Sequence, residues 1–100
     1  MGNDKLAYLI FPFNVEGVTN RMLNIAIKTI EKAGFTPIYY VGKIRTIEYA
    51  KEVINICRYA ILCYHQYLTD LMYEEYVYAR NMDKRLLRLV VSNGCDISMQ

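Results

Sequence analysis

"RYAILCYHQYLTDLMYEEYVYARNMDKRLLRLVVS", Arg58–Ser92, decides the fold. Its first seven residues, Arg58–Tyr64, form an apolar run of strand length. Its last seven, Leu86–Ser92, form another. Between them, Thr69–Lys84 repeats with the 3.6-residue period of a helix. Leu71, Met72, Ala79, Met82 and Leu86 fall on one side of that wheel; Tyr73, Glu74, Val77, Arg80, Asn81 and Lys84 fall on the other. Thr69 and Asp70 both suit the N-cap. A strand, a helix and a strand in succession require a crossover, so the two strands lie parallel and the connection is right-handed.

The same alternation extends upstream. "LAYLIFPF" (Leu6–Phe13) is a continuous apolar run closed by proline, the pattern of a strand buried on both faces. After "NVEG" a helical pattern runs from Val18 to Ala33, with Val18, Met22, Ile25, Ala26, Thr29, Ile30 and Ala33 as its stripe. Gly34 stops it. "TPIYYVG" (Thr36–Gly42) is a second strand. Thr46 caps "IEYAKEVINIC", whose inner face is Ile47, Ala50, Ile54 and Cys57. "NGCDISMQ" reads as a turn and an irregular tail, with at most a brief extended piece.

The expected fold is therefore one α/β domain over residues 1–100. It is a small doubly wound, flavodoxin/Rossmann-like unit: a parallel four-stranded sheet in order 2-1-3-4 with helices on both faces. In such sheets ligands sit beyond the strand C-termini where the order changes direction. Here that is between the first and third strands, below "PFNVEG" and "YHQYLTD".

Bulk composition narrows the function. One hundred residues allow one domain, and 54% hydrophobic content is too high for disorder. No apolar run approaches the ~20 residues of a membrane span. "MGNDKLAY" has neither a signal-peptide pattern nor the Ser or Thr of a myristoylation site, so a cytoplasmic location is expected. The net charge of +2 is scattered, and the densest cluster, "DKRLLR", falls at a helix end where cations are favoured. No phosphate-tracking stripe results, and neither nucleic acid nor membrane is an expected partner. Cys57, Cys63 and Cys95 have no CxxC spacing and His65 is the single histidine, so no metal site and no cofactor are expected.

One residue breaks the apolar pattern. Glu75 lies one turn after Leu71 and one turn before Ala79, on the side of the helix that faces the sheet. A buried, unpaired carboxylate costs several kcal/mol, against about 5–10 kcal/mol for the stability of such a domain. Two roles are open. Glu75 could accept hydrogen bonds from a tyrosine hydroxyl or the "PFNVEG" backbone, and ten tyrosines are at hand. Or it could face a ligand at the floor of a polar pocket, binding a sugar hydroxyl or acting on a sugar carbon that becomes cationic. Around it, Asn14 could bond a ligand or cap its turn. Arg21 could reach an acidic group or stay solvated. Tyr64 could stack on a base or pack on its loop. His65 stands at the mouth of the crevice, where it could serve as acid or base or do neither, and Asp70 could recognise a base or cap its helix.

"AYLIFPF", "ICRYAILCY" and "YEEYVYARNMDKRLLRLVV" resemble, in order, the first strand, a later strand and the E-x-x-x-A helix with its following strand in nucleoside 2-deoxyribosyltransferase-like proteins. TIR-like domains carry a similar stretch. The resemblance spans nearly the whole chain. It implies a nucleoside, nucleotide or NAD-derived ligand and N-glycosidic-bond chemistry. The family's glutamate falls on Glu75, since Ala79 follows at the right distance. Pro12, Phe13, Asn14, Arg21, Tyr64, His65 and Asp70 would then line the ligand site, and a homo-oligomer is implied. The chain departs from the family in having no D-x-G-x-x-x-E, Arg58 where an aspartate is usual, and a first loop that lacks the glycines that let a backbone approach phosphates closely. These departures imply a reshaped pocket, and a non-catalytic binding or interaction module is the alternative.

Overall fold

A computed structural model describes residues 5–12, 20–39, 46–64, 68–92 and 96–99. The elements are β1 (Leu6–Ile10), α1 (Asn20–Lys32), β2 (Thr36–Ile38), α2 (Ile47–Ile56), β3 (Tyr59–Tyr64), α3 (Asp70–Asn81), β4 (Arg85–Ser92) and β5 (Asp96–Met99). The sheet order is β2-β1-β3-β4-β5. The first four strands are parallel in the expected order 2-1-3-4, with Ala7 opposite Tyr59 and Leu62 opposite Arg88. β5 is an addition. It runs antiparallel to β4, pairing Val90 with Ser98, and covers an edge expected to be open.

Alternation in β1 builds two cores, because successive side chains leave a strand on opposite faces. Ala7, Leu9 and Phe11 meet Leu23, Ala26 and Ile30 of α1, with Ile61, Cys63 and Leu89. Tyr8 and Ile10 meet Ala50, Val53 and Ile54 of α2 and Met72 and Ala79 of α3, with Ala60 and Leu62. The buried stripe of α1 includes Leu23, while Ala33 is exposed beyond the helix end.

Strand β1 ends at Ile10, but Phe11 and Pro12 continue as buried chain. β2 is Thr36–Ile38, and of the expected strand to Gly42 the residues 40–42 lie outside those described. Its Pro37 suits an edge. Helix α3 ends three residues before Lys84, so Met82 is exposed and Leu86 belongs to β4.

Both α1 and α3 stop in the same way. In α1, Gly34 has φ 95°, its N–H bonds the Glu31 carbonyl at 3.0 Å, and the Phe35 N–H bonds that of Ile30 at 3.2 Å. In α3, Asp83 has φ 57°, its N–H bonds Arg80 at 3.1 Å, and the Lys84 N–H bonds Ala79 at 3.0 Å. This is the Schellman arrangement, with aspartate filling the left-handed position that glycine takes in α1.

Candidate functional site

Helix α3 is aimed by its cap. The Thr69 hydroxyl accepts from the Met72 N–H at 3.1 Å, so Thr69 is the N-cap. Asp70 takes the first turn, exposed, where a carboxylate favours the helix N-terminus. From that start the inward positions are Met72, Glu75 and Ala79. The far end is tied to α2. The Tyr78 hydroxyl donates to Asn55 Oδ1 at 2.8 Å, and Lys84 Nζ donates to the Asn55 carbonyl at 3.1 Å. That carbonyl is in the last turn of α2, where helix carbonyls lack intrahelical partners.

Glu75 is completely buried, and the hydroxyl of Tyr8 donates a hydrogen bond to its Oε2. Tyr8 is the middle residue of β1, two positions before its end at Ile10. Its register partners are Ile38 and Ala60. The pair thus joins the second turn of α3 to the central strand, below the strand C-termini, on the face where Ile10, Ile54, Met72 and Ala79 pack. The sequence indicated the inward carboxylate and a tyrosine as one possible donor. It could not choose Tyr8 among ten.

The other expected site residues are dispersed. Pro12 is fully buried just past β1. Arg21 is exposed on the first turn of α1, which packs on the opposite face of the sheet from α3 but starts from the same end. Tyr64 closes β3, opposite Val90. Phe13, Asn14 and His65 lie outside the described residues.

Two grooves flank α3 that sequence reasoning did not find. One, of about 290 Å³, lies against α2 and is lined by Ile47, Lys51, Tyr73, Glu74 and Val77 among others. The second, of about 440 Å³, lies against the sheet and is lined by Leu62, Leu68, Tyr73, Tyr76 and Arg88. Glu75 lines neither. The available signal for the second was Arg88 itself, a charge inside the apolar run of β4.

Cys57 and Cys63 are buried free thiols. Burial pushes Cys63 up to about 12. Burial also raises Cys57, to about 11, with the Lys84 ammonium pulling the other way. Neither has the low-pKa, accessible setting of a nucleophilic cysteine. Among the described residues, no group of three or more His, Cys, Asp or Glu gathers where a metal could bind, and no helix is long and apolar enough to cross a membrane. No protein-family model, curated protein or solved structure matches this chain.

Proposed function

We propose that this chain is a binding domain for a nucleoside, a nucleotide or an NAD-derived ligand, with N-glycosidic-bond chemistry at Glu75. The observation that carries the reading is the buried Tyr8–Glu75 pair beneath the C-terminal ends of the central strands. A fold of this size does not need it. A buried polar pair replaced by apolar groups of the same shape is often neutral or stabilising. A retained carboxylate at the ligand end of a doubly wound sheet is what a reactive site would keep, at a cost in stability. The likeness to deoxyribosyltransferase-like proteins points to the same residue.

In this mechanism the Tyr8 hydroxyl orients the Glu75 carboxylate. The carboxylate oxygen bonds to the anomeric carbon as the bond from that carbon to the base nitrogen breaks. The base leaves with the electron pair and takes up a proton, and water or a second base then attacks the same carbon, breaking its bond to the Glu75 oxygen and giving up a proton. A homo-oligomer fits the same reading. Tyr73, 57% exposed, lies with Val77 in the groove that also holds Lys51 and Glu74. Two-fold apposition of that face would pair the two opposite charges crosswise.

The second reading is a non-catalytic module in which Glu75 is a satisfied core group. Its complete burial favours this reading. Glu75→Gln separates the two when assayed for base release from nucleosides, nucleotides and NAD. The catalytic reading expects turnover by the parent, none by Glu75→Gln, and unchanged turnover by Glu74→Gln, at an exposed position. A parent inert toward all three substrate classes, together with a strongly destabilised Glu75→Gln, overturns it.

A further inference from the structure

We propose that the groove between α3 and β4 binds a small aromatic anion, with the negative charge on Arg88 and the ring against Tyr73 and Tyr76. Arg88 sits opposite Leu62 in the parallel ladder. Two residues earlier on the same strand, Leu86 packs on the α2/α3 core. Strand alternation therefore turns Arg88 toward the α3 side of the sheet, where an apolar residue would continue the layer. The chain passes from β4 into β5 with no intervening helix among the described residues, which leaves Arg88 exposed there.

Three features of the groove specify its ligand. The first is charge: among the described residues Arg88 has no hydrogen-bond or ion-pair partner, and no carboxylate lines the groove. Its planar fork of donors matches carboxylate or phosphate oxygens two at a time. The second is the wall. Tyr73 and Tyr76 are three residues apart on α3, a spacing that places side chains beside one another. Leu62 and Leu68 add apolar surface. The third is size: about 440 Å³ lies within the range of small-molecule sites, and a hollow of about 210 Å³ shares Leu62, Tyr76 and Arg88 with it. A bare inorganic anion would leave the rings unused, and a neutral ring would leave the guanidinium unused. The competing role for Arg88 is to lay its aliphatic stem over Leu62 and Leu86 with its head in water. That role predicts no ligand.

The groove is independent of the Glu75 chemistry, and the test keeps them apart. The full chain is titrated calorimetrically with phenyl phosphate, inorganic phosphate and phenol. Phenyl phosphate is expected to saturate one site, with the other two binding at least about tenfold more weakly. Arg88→Met, which removes the charge, and Arg88→Lys, whose ammonium cannot reproduce the fork, should each weaken phenyl phosphate by about tenfold or more. Tyr73→Ala, at a mostly exposed position, should weaken it several-fold, and Glu75→Gln should leave it unchanged. Tyr76→Leu should weaken phenyl phosphate several-fold as well; thermal melting checks that each variant is folded, and Tyr73→Ala alone carries the ring arm if Tyr76→Leu does not fold. Absence of phenyl phosphate binding overturns the proposal. So does equal binding by folded Arg88→Met, or loss of binding in folded Glu75→Gln, which would move the anion to the Glu75 site.

Discussion

The two faces of the sheet solve the same packing problem with different chemistry. On the α1 face, Ala7, Leu9, Phe11, Ile61, Cys63 and Leu89 meet a single helix, and among the described residues no buried polar or charged side chain lies there. On the other face, two helices meet Tyr8, Ile10, Ala60 and Leu62, and a carboxylate is enclosed with them. One strand, β1, feeds both. The fold therefore stands on an apolar interior where nothing else is asked of it. The polar pair on the second face needs a reason other than packing.

The largest expected effect tests the apolar half of that comparison. Leu9→Ala, at a fully buried position on the α1 face, should cost about 2–5 kcal/mol by denaturant titration, as large-to-small changes in close-packed cores do. A loss well below that range would mean that this face repacks easily, and the contrast between the faces would weaken.

Next in size is the pair itself. Glu75→Met leaves the Tyr8 hydroxyl short of an acceptor, and Tyr8→Phe leaves the carboxylate short of a donor. Each should cost about 1–3 kcal/mol. The double variant removes both polar groups of this bond, and its loss should be smaller than the sum of the two single losses. A double-mutant cycle reads this directly. Additive losses would show that the layer needs the pair for its shape, and the functional argument for Glu75 would go.

The smallest effect shows itself only at alkaline pH. Cys63 belongs to the α1 face and Cys57 to the other. Their folded values, about 12 and about 11, lie above the ordinary thiol value of 9.0. The unfolded chain therefore gives up these protons first as pH rises. The stabilisation is fully present below about 9 and is lost as pH climbs toward the folded values. Lys84→Met removes the ammonium that favours the Cys57 thiolate. It should slow alkaline alkylation of Cys57 in the folded chain and leave Cys63 as it was. Equal slowing of both thiols would point to a global change in opening rather than a local charge.

The parts of this structure that repeat were legible in the sequence. Apolar runs between helical stretches gave the parallel order, Gly34 marked the end of α1, and the wheel position of Glu75 turned it inward. The parts that depend on contacts across the fold were not. "DISM" has too few residues to show a period, and β5 is defined by its pairing with β4. Asp83 carries no turn signal as strong as glycine's, so the helical reading ran on to Lys84 and put Met82 inside. Leu23 and Val53 are buried because of where the sheet lies, and neither was on the stripe read from the sequence. Among the described residues no helix covers the α3–β4 groove's side of β4, a property of the assembled layers rather than of any segment.

The register of β1 has a consequence for synthesis on the ribosome. Ala7 pairs with Pro37 on one side and Tyr59 on the other. At about 5–20 residues per second, the second neighbour follows Ala7 by roughly 3–10 s. Early in that interval α1 can already cover Leu9, whereas Ile10 still awaits α2 and α3. The face left waiting is the one that carries Tyr8. Its hydroxyl can bond water until Glu75 is translated, and so makes the nascent strand a poorer template for aggregation than an all-aliphatic one would be.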